Sequence, residues 1–322
     1  YDYEIDLSKK VGPMSIQAPL SQRMDDIRSY YDLISFDQVP LKDKALAACL
    51  DEWKGAFGLR LRSESKTVGI MKKSTNSGSP YFSKRSAVLS KTVPIGRVQM
   101  IGKYCRQELP TGDWDACAVL GWRGQEGGPD SEDVKQRVVW MFPFAVNVKE
   151  LQLYQPLIES FQHFNYVPAW VGMDAVDLAV TRMFDSKATD DLVICTDFSK
   201  FDQHFNPTCQ EAARQLLTAL MAHTPDSAEW IEHIFPIKYA IPLAFDWGKI
   251  KYGAHGMGSG SGGTNADETL VHRALQHEAA LASGTILNPN SQCLGDDGVI
   301  TYPGCTVEDV IRSYTAHGLE MN

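Results

Sequence analysis

The feature that most constrains this chain is the Gly-Asp-Asp sequence at positions 295–297. One apolar run ends at residue 294, and a second one covers residues 298–302. Since Gly and Asp favour tight turns between β-prone segments, the pattern predicts a β-hairpin with two carboxylates at its tip. The tripeptide alone is equally typical of an ordinary Asp-rich turn, so its meaning depends on what the fold brings beside it.

A second carboxylate-bearing strand is predicted about a hundred residues earlier. Residues 192–196 are β-prone and lead directly to Asp197, with Asp202 five positions further on. Two strands that each end in an acid can lie side by side in one sheet and share a divalent ion. Clustered carboxylates suit Mg²⁺ or Mn²⁺, and two ions about 3.5–4 Å apart form the clamp used for in-line phosphoryl displacement.

A glycine-rich stretch between these segments makes the pattern specific. D-x4-D at 197–202, S-G-x3-T at 259–264 and G-D-D at 295–297 occur in that order. Together they resemble motifs A, B and C of viral RNA-dependent RNA polymerases. The sequences DFSKFD and GSGSGGTNADET are most similar to the picobirnavirus polymerases, close to the partitivirus group.

This resemblance implies an α+β, right-hand polymerase fold with fingers and an antiparallel palm sheet. The expected division is fingers with an N-terminal arm over 1–188, palm with motif A over 189–215, a fingers insertion over 216–254, and palm with motifs B, C and the start of D over 255–322. No thumb is expected within this chain. The implied reaction is attack of a 3′-hydroxyl on the α-phosphorus of an NTP.

The resemblance also assigns the catalytic and metal-binding residues. Asp197 and Asp296 are the principal expected ligands of two Mg²⁺ or Mn²⁺ ions, and the adjacent Asp297 is expected to help bind them. The carbonyl of Phe198 is a further expected ligand.

Nucleotide-binding residues follow in the same way. Asp202 is the expected reader of the ribose 2′-hydroxyl. Ser259, Gly260 and Thr264 match motif B, with Asn265 as a reserve candidate for a sugar contact. Many relatives carry Asn four residues beyond Thr264, where this chain has Glu268, so the role of Glu268 is open.

The charge of the chain is segregated. The net charge is −9, yet residues 54–106 hold twelve Lys and Arg against the single acid Glu64, as suits a basic channel leading to an acidic metal site. Residues 72–81 resemble motif G, the loop at the template entry, and could present backbone N–H groups to phosphates. The alternative is a plain surface turn. The expected template contacts are Lys72, Lys73, Ser77, Gly78, Lys84 and Arg85.

A strand over residues 134–141 resembles motif F. Alternation predicts Lys135 and Arg137 on one face and Val138 and Trp140 on the other. The two cations could grip a triphosphate, although any half-exposed strand gives the same pattern. Two stretches lack regular patterns: residues 6–23 are predicted to be irregular, and the glycine-rich residues 121–130 are predicted to be a loop.

The remaining expectations concern context. Seven cysteines without a C-x2-C pair indicate a reducing compartment and no zinc site, and no apolar run reaches a membrane span. RNA template, nascent strand and NTPs are the expected partners, a viral capsid is a further candidate, and host cytoplasm or virion interior is the expected location. The chain opens without Met and ends at the G-L-x-M segment of motif D, before the family's lysine. It is therefore expected to be a truncated fragment that does not polymerise.

Two alternatives stay open at this point. A reverse transcriptase would share the palm, but it usually carries an aromatic residue where Asp202 stands, and Tyr-x-Asp-Asp in motif C. An inactive RNA-binding remnant would keep the basic stretch without needing every motif A and C acid.

Overall fold

The computed structural model describes residues 1–15, 17–35, 38–128, 130 and 133–322. The helices are α1 (Asp2–Ser15), α2 (Leu20–Asp32), α3 (Asp43–Glu52), α4 (Glu64–Ile70), α5 (Leu89–Thr92), α6 (Phe144–His163), α7 (Pro168–Val171), α8 (Met173–Ser186), α9 (Phe201–His204), α10 (Pro207–Leu220), α11 (Pro225–Glu229), α12 (Thr264–Ala282) and α13 (Val307–Thr315). The strands are β1 (Val98–Ile101), β2 (Tyr104–Leu109), β3 (Gly112–Ala116), β4 (Ala118–Glu126), β5 (Val134–Met141), β6 (Ile194–Thr196), β7 (Leu243–Asp246), β8 (Lys249–Lys251), β9 (Gln292–Leu294) and β10 (Asp297–Ile300).

The strands form three sheets. One has the order β1-β2-β3, and a second has the order β5-β4-β7-β8, in which β4 and β7 are parallel. The third has the order β6-β10-β9 and is antiparallel throughout. We call this third sheet the site sheet, because it carries the predicted acids. The predicted α+β class with an antiparallel sheet at the acids is confirmed.

Helix α12 is the central helix behind the site sheet. It packs on α3, α10, α13 and β9, and most of its residues are buried, including polar ones such as Asp267 and His272. Because it is enclosed on nearly all sides, its polar side chains must find partners inside the protein. Those partners, described below, connect α12 to the site.

Two neighbouring helices begin at residues whose side chains cap them. Asn206 caps α10, and its Oδ1 accepts hydrogen bonds from the N–H groups of Thr208 (3.0 Å) and Cys209 (3.2 Å). Thr306 caps α13 by accepting from the N–H of Asp309 (3.2 Å). Side-chain oxygens at this position satisfy N–H groups that have no partner within the helix.

Two predictions of secondary structure are wrong. Residues 6–23 are not irregular, because α1 and α2 cover most of them. The buried face of α2 comprises Arg23, Ile27 and Tyr30, which is a helical spacing that the prolines obscured. Residues 121–126 are not a loop but belong to β4, which pairs with β5 along its length; cross-strand pairing overrides the weak β-propensity of glycine. Pro129 of that predicted loop lies outside the described residues.

Candidate active site

The Gly-Asp-Asp sequence forms a two-residue turn. Leu294 pairs with Asp297 across the hairpin, so only Gly295 and Asp296 lie within the turn. Gly295 has a φ of +56°, and glycine at the first of two turn positions is typical of a type II′ hairpin. The predicted hairpin is confirmed with one refinement: Asp296 is at the tip, whereas Asp297 is the first residue of β10.

Strand β6 brings the motif A acid to the same end of the sheet. Thr196 pairs with Gly298 of β10, and the same register continued by one residue places Asp197 opposite Asp297. Opposed Cα atoms in antiparallel strands lie about 4.5–5.5 Å apart. The prediction that two acid-bearing strands lie side by side is therefore confirmed for the backbone. Asp197 and Asp297 are exposed, and Asp296 is half-buried.

Asp197 also contacts the last residues of the chain. Asn322 donates its N–H to the Asp197 carbonyl (3.1 Å) and its Nδ2 to Oδ2 of the carboxylate (2.9 Å). The Phe198 ring is buried and stacks on Tyr314 with 5.6 Å between centroids. Because carbonyls alternate along a strand, the Phe198 carbonyl faces away from the Asn322 contact.

A pair of carboxyl groups lies beside these acids. Asp202 is on the short helix α9 and Glu268 is on α12, and their side chains are hydrogen-bonded to each other. Burial raises the pKa of both groups. The negative charge of Asp202 and the hydrogen bond raise the pKa of Glu268 further, well above its usual value. The same hydrogen bond favours the charged form of Asp202, so Glu268 holds the shared proton.

Glu268 also lies against the Gly-Asp-Asp turn. Its Oε2 is 3.7 Å from the position that a Cβ on Gly295 would occupy, and no hydrogen-bond partner for its buried Oε1 is found among the described residues. Buried polar atoms of this kind normally have a partner. Glu268, which stands where many relatives carry Asn, therefore lies within the site.

The electrostatic environment of Asp296 connects it to the same group. Burial raises its pKa, and the charges of Asp297 and Asp202 act in the same direction. A hydrogen bond from its own backbone N–H and the Arg137 guanidinium act in the opposite direction. Arg137 likewise favours the charged form of Asp202. The charge of Arg137 thus acts on two of the predicted acids, and its role in nucleotide binding stays a prediction.

Lys135, the other predicted cation of β5, has fewer interactions with the site than Arg137. Lys135 and Arg137 are both exposed, and Val138 and Trp140 are buried, which confirms the predicted two faces of β5. Lys135 lies opposite Gln125 on β4, and the structure gives it no contact with the site acids within the described residues. Its role in phosphate binding stays a prediction.

Helix α12 holds the Gly-Asp-Asp turn by its backbone. Thr269 Oγ1 accepts the Gly295 N–H at 2.9 Å, and His272 Nδ1 donates to the Gly295 carbonyl at 2.8 Å. A carbonyl only accepts, so the proton of the neutral ring is on Nδ1. Burial lowers the pKa of His272 to about 4, which keeps the ring neutral. Sequence reasoning missed both residues, because the backbone that they bond lies 23 to 26 residues away along the chain.

The motif B residues face the protein more than the open site. Ser259 Oγ accepts the Trp140 N–H at 3.1 Å, and Thr264 Oγ1 donates to the carbonyls of Gly258 (3.1 Å) and Ser261 (3.3 Å). Asn265 is exposed, and its Oδ1 accepts from Trp170 Nε1 at 2.8 Å. Their contacts with nucleotide stay predictions.

A Cβ on Gly260 would lie 1.7 Å from the Trp140 carbonyl oxygen. The missing Cβ atom at this position therefore allows the loop to pack against β5.

The predicted template loop divides into exposed and buried residues. Lys72 and Lys84 are exposed and Lys73 is partly exposed, so these cations are accessible. Ser77 and Gly78 are buried, and their N–H groups already donate to the Ser83 carbonyl (2.7 Å) and Asn76 Oδ1 (2.8 Å). The expectation that these N–H groups face phosphates is therefore wrong.

Arg85 is half-buried and points inward. Its guanidinium donates to Asn147 Oδ1 at 2.7 Å and to the Lys72 carbonyl at 3.4 Å, and it lies 5.1 Å from the centre of the Phe144 ring. The Arg85 side chain is thus held within the protein, whereas Lys84 is exposed.

The site offers oxygen donors for a metal ion. Asp197, Asp296 and Asp297 supply carboxylates at one end of the site sheet, which is the chemistry that Mg²⁺ and Mn²⁺ prefer. Among the described residues, no group of three or more His, Cys, Asp or Glu side chains is already gathered around one point. The donor types fit a hard cation, and binding one would require these side chains to turn toward it.

Comparisons with known proteins bear on this geometry. The family model described as viral RNA-dependent RNA polymerase matches residues 64–321. A potential RNA-dependent RNA polymerase of Human picobirnavirus (strain Human/Thailand/Hy005102/-) is 66% identical over 321 residues, which are 100% of this chain and 60% of that relative.

Two crystal structures are similar over the whole chain. One is the RNA-dependent RNA polymerase of a human picobirnavirus, with a TM-score of 0.94, 66% identity, and coverage of 100% of this chain and 61% of that one. The other is its insertion-loop deletion mutant, with the same TM-score and identity and 63% of that chain covered. The chain spans about three fifths of the length of these relatives. Within the described residues, no helix has the length and apolar character needed to cross a membrane.

Proposed function

The chain belongs to the viral RNA-dependent RNA polymerases, as the family match over residues 64–321 shows, and we propose that it catalyses template-directed addition of nucleotides to RNA. The 3′-hydroxyl of the growing strand or a first nucleotide attacks the α-phosphorus of an NTP, and pyrophosphate leaves. The observation that carries the proposal is the register of β6 on β10, which brings the Asp197 strand end to the Gly-Asp-Asp turn.

Asp197, Asp296 and Asp297 are the proposed ligands of two Mg²⁺ or Mn²⁺ ions, with the Phe198 carbonyl as a further donor. When bound, such ions lower the pKa of the attacking hydroxyl and neutralise charge on the triphosphate. Asp296 is the half-buried acid of the three, and the charges of both Asp202 and Arg137 act on its pKa. Thr269 and His272 fix the turn that carries it.

We assign nucleotide recognition to residues around this centre. Arg137 and Lys135 hold phosphate oxygens, and Arg137 is the better supported because its charge acts on Asp202 and Asp296. Asp202 reads the ribose 2′-hydroxyl, and Glu268, through the proton it shares with Asp202, sets how that carboxylate is presented. Ser259, Gly260, Thr264 and Asn265 complete the wall of the nucleotide site.

The proposed partners are an RNA template, the nascent strand and NTPs. Lys72, Lys73 and Lys84 are accessible cations for template phosphates. We assign 1–188 and 216–254 to fingers and 189–215 and 255–322 to palm, and none of the 322 residues to a thumb. Action in the host cytoplasm or within a virion, with a capsid as partner, completes the proposal.

Template-dependent incorporation of labelled NTPs tests this function. The full-length protein that carries this sequence should extend an RNA primer on an RNA template with Mg²⁺ or Mn²⁺, and Asp296→Asn in that protein should abolish the product. Asp174→Asn, an exposed acid at the start of α8, is the matched control and should retain activity. Preferential use of dNTPs would favour a reverse transcriptase, and RNA binding without incorporation would favour an inactive remnant.

A further inference from the structure

A buried carboxylate on α6 holds the glycine-rich loop at residues 256–263. Glu150 has no solvent exposure. Its Oε1 accepts the Gly262 N–H at 3.1 Å, and its Oε2 accepts the Ser261 hydroxyl. The Ser261 hydroxyl oxygen in turn accepts the Gly263 N–H at 3.0 Å. One side chain of α6 thus organises three consecutive residues of the loop.

Asn147, one turn earlier on α6, extends this arrangement in both directions. Its Nδ2 donates to Glu150 Oε1 at 3.1 Å and to the Gly260 carbonyl at 3.2 Å. Its Oδ1 accepts from Arg85 Nη2 at 2.7 Å. A continuous hydrogen-bonded path therefore runs from Arg85, on the loop of the template-binding lysines, to the glycine-rich loop.

The glycine-rich loop has no spare room where it meets β5 and α6. A Cβ on Gly260 would meet the Trp140 carbonyl, and one on Gly263 would lie 2.4 Å from the Tyr154 ring. The loop is therefore packed against β5 and α6 while Glu150 and Asn147 hold its backbone. It leads directly into α12, which carries Glu268, Thr269 and His272.

The Glu150 carboxylate and the glycine-rich loop stabilise each other. Burial raises the pKa of Glu150, whereas the Lys238 charge and hydrogen bonds from Ser261, Gly262 and Asn147 favour the charged form. A buried carboxylate that loses such donors is strongly unfavourable. The loop donors are thus needed by the carboxylate, and the carboxylate fixes the loop.

We propose that Asn147 and Glu150 are positioning residues that fix the glycine-rich loop and couple its position to Arg85 on the template-binding loop. The expected effect on kcat rests on the proposed polymerase function, whereas the expected effect on the position of the loop does not. Arg85 accordingly acts through Asn147, whereas Lys84 acts on RNA directly.

Two measurements on the same variants separate these roles. Amide hydrogen exchange of peptides covering residues 256–263 reports loop position, and steady-state incorporation with RNA titration separates kcat from RNA Kd. Glu150→Gln and Arg85→Gln should each speed loop exchange and lower kcat about tenfold, because each removes a hydrogen bond to a charged group. RNA Kd should stay within about twofold in both.

Controls come from neighbouring residues and from the loop itself. Lys84→Gln should raise RNA Kd without speeding loop exchange, and Lys149→Gln, on the same helix but paired with Glu64 at 3.0 Å, should change neither. Ser261→Ala removes a hydrogen bond to Glu150 from the loop side and should also speed loop exchange and lower kcat. It provides the test if Glu150→Gln folds poorly. The Arg85→Gln/Glu150→Gln double variant should be no worse than the more affected single variant.

Unchanged loop exchange in Glu150→Gln and Ser261→Ala would overturn the positioning role. Additive effects in the double variant, or an Arg85→Gln variant that behaves like Lys84→Gln, would overturn the coupling. If the full-length protein that carries this sequence incorporates no nucleotide, the proposed function fails, and the exchange measurements still decide the positioning role.

Discussion

The carboxyl groups of Asp202 and Glu268 are hydrogen-bonded to each other beside the Gly-Asp-Asp turn. Two hydrogen-bonded carboxyl groups cannot both ionise without mutual repulsion, and burial adds to the cost of charging them. Glu268 therefore stays protonated and donates to Asp202, which remains the acceptor available to a ribose hydroxyl. This accounts for a glutamate at a position where many relatives carry Asn, because a protonated carboxyl group is also a hydrogen-bond donor.

The first prediction concerns the sugar. Asp202→Ala should weaken discrimination between NTP and dNTP, because a site built to bond a hydroxyl rejects the analogue that lacks it. Glu268→Gln keeps a donor toward Asp202 and should leave selectivity within about threefold of the unaltered protein. The ratio of kcat/KM for ATP and dATP measures both. Collapse of selectivity in Glu268→Gln would show that a titrating acid is required there.

The second prediction is a pH dependence of stability. The pKa of Glu268 is higher in the folded than in the unfolded protein, so the folded state binds more protons between the unfolded pKa and the folded one. The stabilisation is therefore complete below the unfolded pKa, about 4.3, and is lost as pH rises through the raised folded pKa. Glu268→Gln should flatten this fall in thermal unfolding measured in EDTA. An unchanged pH profile would contradict the shared-proton arrangement.

The third prediction ranks the hairpin acids. Asp296→Ala should lower turnover by about 10²-fold or more, because a metal ligand supports several kcal/mol of transition-state stabilisation. Asp297→Ala should lower turnover less, since the Asp297 side chain is exposed. Asp296 is half-buried, and the charge of Arg137 acts on it. The register that sets Asp197 opposite Asp297 makes this a real test. The reverse order in kcat would make Asp297 the principal ligand.

The sequence predicted the parts of the site that depend on short-range pattern. A two-residue turn needs Gly or Asp, and a β-prone run before an acid predicts a strand end, so the hairpin and the Asp197 strand were both predictable. The pairing of β6 with β10 followed from placing the two acids at one end of a sheet. These features need only local chemistry and one assumption about sheet order.

The parts that sequence did not predict depend on three-dimensional packing. Nothing in the spacing indicates that Thr269 and His272 bond the backbone of Gly295, because their partner is 23 to 26 residues away. Arg85 is indistinguishable from Lys84 in a basic stretch, yet one packs on Phe144 and the other is exposed. The path through Asn147 and Glu150 was likewise invisible, because both lie in an apolar helix that reads as core.

The fourth prediction concerns the accessible lysines. Replacing Lys72, Lys73 and Lys84 by Gln should weaken RNA binding and reduce the slope of log K against log salt by about 0.7 per lost contact with single-stranded RNA. Equilibrium titrations at several salt concentrations measure the slope. The matched control is Lys44→Gln, an exposed lysine on α3, which should leave the slope unchanged. An equal slope in the triple variant would assign these lysines to an ordinary solvated surface.

The last prediction concerns Gly260, where the loop touches β5. A methyl group there would lie 1.7 Å from the Trp140 carbonyl oxygen, and that oxygen belongs to a paired strand that cannot shift without cost to its hydrogen bonds. Gly260→Ala should therefore destabilise the protein by about 1–3 kcal/mol, as overpacking does. It should also speed amide exchange over residues 256–263, because Asn147 holds the Gly260 carbonyl.

Gly69→Ala is the control, since Gly69 lies in α4 with nothing within 4 Å of an added Cβ. That change should stabilise the protein by about 0.5–1 kcal/mol through the better helix propensity of Ala. If Gly260→Ala unfolds at the same temperature as the unaltered protein, the loop can accommodate a methyl group, and the tight contact with the Trp140 carbonyl is contradicted.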